Sequence, residues 1–120
     1  MQKMLIVDDM KLNRIALRQL FSDGFEIVEA SDGQQAVEMI SEHGKEYDIV
    51  LLDIVMPKLN GIQVLKEMNS NGIYRTLPVI AITEKETYQL EALENGAWDF
   101  IGKGNAPEVI KARVYNVLSR

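Results

Sequence analysis

Cysteine is absent from the chain, which excludes disulfide frameworks and thiolate metal centres. Its absence fits a reducing compartment, and a cytoplasmic location is expected. Proline is scarce, with three residues, and there is no linker, low-complexity stretch or internal repeat. No apolar run approaches the roughly 20 residues that a membrane-spanning helix needs. Met1-Gln2-Lys3 leads into a strand pattern rather than a signal peptide, so no membrane partner is expected. Positive charge is in deficit: 13 Lys and Arg against 18 Asp and Glu leave a net charge of −5. Duplex affinity rests on neutralising phosphates, so direct nucleic-acid binding is not expected. The one histidine, His43, stands beside Gly44 at a helix end and reads as a solvated residue favoured by the helix dipole, not as a ligand. What is present is a 47% hydrophobic content in 120 residues, which predicts one globular domain over residues 1–120 with a filled core.

Four short apolar runs each end on a polar residue. Met4-Leu5-Ile6-Val7 runs into Asp8-Asp9, Ile49-Val50-Leu51-Leu52 into Asp53, Val79-Ile80-Ala81-Ile82 into Thr83, and Phe100-Ile101-Gly102 into Lys103. Unbroken runs rich in Val and Ile predict strands buried on both faces. Helical patterns separate them, so the strands are expected to be parallel. The first helix is predicted over 11–21, with Leu12, Ile15, Ala16 and Leu20 as its apolar stripe. The second strand is predicted over 26–30, and Asp32 caps the next helix with Gln35 at the reciprocal position. Asn60-Gly61 opens the third helix. The fourth helix, 85–95, is polar almost all round; only Tyr88, Leu90, Ala92 and Leu93 offer apolar contact, so it is a candidate for movement. The fifth strand is predicted over 97–102. Asn105 is expected to cap the last helix, with Glu108 at the box position and Pro107 in the first turn.

Five βα units predict an α/β fold: a doubly wound, flavodoxin-like, five-stranded parallel sheet with helices on both faces. The acidic clusters end the first and third strands, which favours the order 2-1-3-4-5, where those strands are neighbours. Three carboxylates, a hydroxyl and an ammonium then meet at the carboxyl edge of the sheet. Crowded carboxylates resist joint ionisation without a cation, so a divalent metal and a phosphoryl group are the natural visitors.

The ordered set Leu5-Ile6-Val7-Asp8-Asp9, Leu52-Asp53-Ile54-Val55-Met56-Pro57 with Asn60-Gly61, Pro78 to Thr83, and Gly96-Ala97 with Phe100 and Lys103 resembles the receiver domain of a two-component response regulator. The likeness covers essentially the whole chain. It implies a phosphoprotein of phosphorelay signal transduction, not an enzyme in its own right, that accepts a phosphoryl group from a sensor histidine kinase or phosphotransfer protein. By the same resemblance Asp53 is the phosphoacceptor. Asp9 binds Mg2+ (or Mn2+) directly and Asp8 mainly through water, with Asp53 and the backbone carbonyl of Val55 as further ligands. Lys103 pairs with Asp53 and then with a phosphoryl oxygen. Thr83 donates its hydroxyl to another, and Phe100 is a switch aromatic. The implied partners are the kinase and an output domain or partner protein reached through the surface of the fourth helix, fifth strand and fifth helix, with a homodimer on phosphorylation allowed.

Two positions depart from the family pattern. Glu84 follows the threonine where a small residue is usual, and Gly104 follows the lysine where a cis proline is usual. Without proline a cis bond costs about 2.5–4 kcal/mol, so a trans Lys103–Gly104 bond is expected. Both positions are expected to modulate switching. Alternatives remain at this level. A degenerate receiver would bind partners without phospho-switching. A Mg2+-dependent phosphohydrolase would want a second Asp two residues after its nucleophile, where Asp9 is followed by Met10-Lys11. A flavodoxin-like cofactor carrier would want a Gly/Ser/Thr-rich phosphate loop, where Asp8-Asp9-Met10-Lys11 is acidic.

Overall fold

Alternation of side chains along each strand decides how the layers form. In the computed structural model, which describes residues 1–120 apart from the side chain of Tyr74, the strands are β1 (Gln2–Val7), β2 (Phe25–Ala30), β3 (Ile49–Asp53), β4 (Val79–Thr83) and β5 (Asp99–Gly102). The helices are α1 (Lys11–Phe21), α2 (Gly33–His43), α3 (Gly61–Asn71), α4 (Gln89–Glu94) and α5 (Pro107–Leu118). All strand pairs are parallel, in the order 2-1-3-4-5. Leu5, Val7, Val50, Leu52, Val79 and Ala81 pack with Ala36, Ile40, Leu65, Met68 and Ala92 of α2, α3 and α4. The intervening residues Met4, Ile6, Ile49, Leu51, Ile80 and Ile82 pack with Phe21, Ile110, Val114 and Val117 of α1 and α5. With both faces covered, β3 and β4 are buried along their full length, which is why they read as unbroken apolar runs.

The expected stripe of α1 is out of phase. Leu12 is 75% and Ile15 39% exposed, and Ala16 is exposed too. The face turned to the sheet carries Asn13, Arg14, Leu17, Leu20 and Phe21. This is also a helical stripe, but two of its five positions are polar, so apolar periodicity alone selects the wrong phase. Phe21 anchors the right one, edge-on to Phe25 at 5.8 Å between ring centroids.

The fourth helix is shorter than expected. A single 3-10 turn (Glu86–Tyr88) precedes α4, and Ala92 is its only buried residue, while Leu90 and Leu93 are 69% and 41% exposed. One inward apolar position cannot hold three turns of helix against the sheet. Asn105 does not cap α5. Ala106 holds the N-cap position with Pro107 at the first turn, and the Asn105 side chain donates to the Gly102 carbonyl at 3.0 Å instead. Asp32 does cap α2, accepting from Gln35 N at 2.7 Å, but Gln35 reaches back to Ser31 N rather than to Asp32. The complete reciprocal box belongs to α3, where Asn60 and Gln63 exchange bonds of 3.0 and 2.8 Å. No peptide bond among the described residues is cis, so Lys103–Gly104 is trans as the sequence suggests.

Candidate functional site

The register brings the strand ends level. Val7 pairs with Leu52, Asp53 with Ile82, and Thr83 with Gly102. The ladders run one residue past the strands, through Asp8 N to Ala30 O at 3.2 Å and Lys103 N to Thr83 O at 2.9 Å. Strand alternation therefore persists to the edge. Asp8, Asp53 and Lys103 share the parity of Ile6, Leu51 and Ile101, whose face carries α1 and α5. Thr83 shares the parity of Val79 and Ala81, whose face carries α4, and Phe100 packs in that same core. The charged chemistry lies on one side of the sheet edge and the threonine and aromatic on the other.

One carboxylate oxygen each from Asp8, Asp9 and Asp53 lie within 4.8 Å of one another. Asp8 and Asp53 are 2% and 4% exposed, and Asp9 is half-buried. Lys103 Nζ stands 3.0 Å from Asp8 Oδ2 and 3.3 Å from Asp53 Oδ1. The expected Lys103–Asp53 pair is thus shared with Asp8, which is the nearer partner. Burial, then the Asp8 charge, pushes the Asp53 carboxyl up from 3.8 to about 6, although Lys103 pulls the other way. Burial pushes the Lys103 ammonium down, but its contacts with Asp8 and Asp53 outweigh that and hold it above its ordinary value.

Asp8 is held on every side. Its Oδ1 accepts from Met10 N at 2.9 Å and from Asn13 Nδ2 at 3.4 Å, and its Oδ2 takes Lys103. Arg14 Nη1 donates to its backbone carbonyl at 2.7 Å. Asn13 and Arg14 were outside the sequence reading, because their inward positions depend on the phase of α1. Asp53 is fixed by the close approach of α3: a Cβ at Gly61 would collide with the Asp53 carbonyl oxygen and with Ile54, so the α3 N-terminus packs directly on the end of β3.

Thr83 is 1% exposed, and its hydroxyl oxygen accepts from Lys85 N at 3.4 Å. Phe100 is 6% exposed, in the core with Ala81 and Ala92. A cleft of about 380 Å3 opens over the carboxylates, lined by Asp9, Met10, Asn13, Asp53, Val55, Glu84, Lys85 and Lys103. Glu84 is exposed and lines this cleft. Gly104 is exposed, with nothing within 4 Å of where a Cβ would stand, and it is not among the cleft residues. His43 is exposed and pairs through Nδ1 with Glu46 at 2.6 Å, remote from the carboxylates in sequence and absent from the cleft.

An all-oxygen donor set of three converging carboxylates suits a hard divalent cation such as Mg2+ or Mn2+. Beside it stands an ammonium that can meet an incoming oxyanion. Fold and edge together define a doubly wound α/β domain with an acidic cluster at the carboxyl edge of its sheet. Residues 4–115 match the response regulator receiver domain family, and the chain belongs to that family, whose general role is to accept a phosphoryl group. It is 37% identical over 121 residues to the transcriptional regulatory protein SrrA of Staphylococcus aureus, covering 98% of this chain and 48% of that protein; the chain spans about half the length of the curated relatives it matches. Among solved structures, the CheX–CheY–BeF3–Mg2+ complex from Borrelia burgdorferi contains a chain 37% identical, with a TM-score of 0.86, covering 97% of this chain and 88% of that one. The chemotaxis protein CheY4 of Vibrio cholerae is 25% identical, with a TM-score of 0.86 and 98% of both chains covered. Among the described residues no helix is long and apolar enough to cross a membrane.

Proposed function

We propose that this receiver accepts a phosphoryl group on Asp53 from a phosphohistidine of a sensor kinase or phosphotransfer protein, and that the adduct shifts the surface formed by α4, β5 and α5 to control an output. The observation that carries this reading is the meeting of Asp8, Asp9, Asp53 and Lys103 at one buried edge. An Asp53 carboxylate oxygen attacks phosphorus, the P–O bond forms, and the P–N bond breaks with its electron pair returning to the imidazole nitrogen. Asp8, Asp9 and Asp53 with the Val55 carbonyl would hold Mg2+, which would supply charge neutralisation for the carboxylates and the transferring group. Lys103 turns from the carboxylates to a phosphoryl oxygen. Thr83 releases the long bond from Lys85 N and donates its hydroxyl to another. That draws the end of β4 towards the adduct, and Phe100, on the same face, repacks against the weakly anchored α4. A relative whose structure holds BeF3 and Mg2+ supports this chemistry. Met10, which lines the cleft, and Leu12 and Ile15 of α1 are exposed and offer a phosphodonor an apolar landing.

The test is intact mass after incubation with a small-molecule phosphodonor. One phosphoryl group should be added in Mg2+ and none after chelation, and Asp53→Asn should abolish the adduct. A full adduct on Asp53→Asn would sink the assignment. A chain that takes no phosphoryl group yet still binds its partner would favour the degenerate reading.

A further inference from the structure

Next to the Asp8 carbonyl, α1 and β2 are joined by a three-residue cluster of opposite charges. Glu29 on β2 accepts from Arg14 Nε at 2.9 Å through Oε1 and from Arg18 Nε at 2.8 Å through Oε2. Arg14 is the more enclosed arginine, its side chain 14% exposed against 45% for Arg18. Burial pushes the Glu29 carboxyl up, but the bonds from Arg18 and Arg14 outweigh it and hold the group below its ordinary value, so Glu29 stays ionised at neutral pH. The two arginines differ in one respect. Arg14 spends Nη1 on the carbonyl of Asp8 at 2.7 Å, whereas Arg18 reaches back towards Ile27 O at 3.4 Å and does not touch the turn.

That carbonyl lies between the two acidic residues. The peptide that Arg14 grips joins Asp8 to Asp9, the half-buried carboxylate with no side-chain partner holding it to the fold among the described bonds. Asp8 is also fixed by Met10 N, Asn13 and Lys103; the direction of Asp9 depends on the plane of that peptide. We propose that Arg14, braced by Glu29, is a positioning residue for the cation site: it fixes the Asp8–Asp9 peptide so that the Asp9 carboxylate is aimed at Asp8 and Asp53 before a cation arrives. Resting as it does on the metal-site reading above, the proposal adds a support that reaches the site from the second strand through the backbone. A planar guanidinium is required, because one nitrogen must meet Glu29 while another meets the carbonyl; an ammonium cannot span both.

The sign of the effect separates positioning from simple charge. Removing a cation near the site would by Coulomb attraction alone tighten Mg2+ binding. Loss of positioning weakens it, by roughly tenfold if Arg14 acts as supporting groups of metal ligands commonly do. Mg2+ dissociation constants would be measured by calorimetry on the whole chain, with urea unfolding alongside, for wild type, Arg14→Ala, Arg14→Lys, Arg18→Ala and Asp9→Asn. The expected result is weaker Mg2+ binding in both Arg14 variants and wild-type binding in Arg18→Ala, even where Arg18→Ala loses comparable stability. Arg14→Lys, which keeps the charge, guards against an Arg14→Ala that does not fold. Wild-type or tighter Mg2+ binding in Arg14→Lys, with Asp9→Asn impaired, overturns the positioning role alone. Wild-type binding in Asp9→Asn as well overturns the metal-site reading and the positioning role with it. Equal weakening in Arg18→Ala and Arg14→Ala reduces the cluster to a general brace and also overturns the proposal.

Discussion

Asp53 is charged at neutral pH in a place that resists its charge, and replacing it should reveal the strain. Its carboxyl is raised from 3.8 to about 6 by burial first and by Asp8 second. A raised carboxyl means that the folded chain holds its proton more tightly than the unfolded chain does. Stability contributed by this group is therefore present below the unfolded value and lost as pH rises through the window from 3.8 to about 6. Two units at about 1.4 kcal/mol each amount to about 3 kcal/mol, expressed in full above that window in metal-free protein. Asp53→Asn removes the titration. The substitution also changes packing, but that effect is present on both sides of the window and cancels when the two proteins are compared across it; the Lys103 attraction, which acts only on ionised Asp53, is already contained in the raised value. The stability of Asp53→Asn relative to wild type should rise by about 1–3 kcal/mol between about pH 4 and pH 7.5, or several degrees in melting temperature for a domain of this size. Urea unfolding followed by far-UV circular dichroism, with a chelator present, reads this directly. A stability difference that is the same at both pH values would refute the argument that the Asp53 charge is strained.

Mg2+ should relieve the same strain. Millimolar Mg2+ should raise the wild-type melting temperature near neutral pH by ligand linkage, with a smaller gain near pH 5, where Asp53 is largely protonated; a melting temperature indifferent to Mg2+ would count against the site. Glu84 lines the mouth of the cleft and should repel an incoming phosphoryl dianion, so Glu84→Ala should speed phosphorylation by small donors severalfold, less so as salt rises. Stopped-flow rates that are equal at low salt would reject this gatekeeping role for Glu84. Beryllofluoride with Mg2+ should shift amide NMR signals across residues 84–104 and α5 more than those of α2, since α4 has one buried residue to hold it. Shifts confined to the carboxylate loops would leave the α4 surface without a switching role.

The sequence by itself determined the strands and which polar residues end them. Runs such as Ile49 to Leu52 cannot be solvated, so they must be central strands. Their polar terminators Asp8, Asp9, Asp53, Thr83 and Lys103 then fall at one edge, because parallel strands end together. The order 2-1-3-4-5 followed from where the acids lie. Caps were less secure: Asp32 was legible, while Asn105 spends its side chain on Gly102, since a turn offers an Asn more than one backbone partner.

Tertiary structure decided what depends on which way an element turns. α1 has two competing stripes, and only docking of Phe21 against Phe25 and of Arg14 against Glu29 selects the one that exposes Leu12 and Ile15. That choice placed Asn13 and Arg14 beside Asp8. The sharing of Lys103 between Asp8 and Asp53 was likewise beyond the sequence, because spacing fixes which residues reach an edge, while hydrogen-bond geometry and burial fix which of them touch and how strongly each holds its charge.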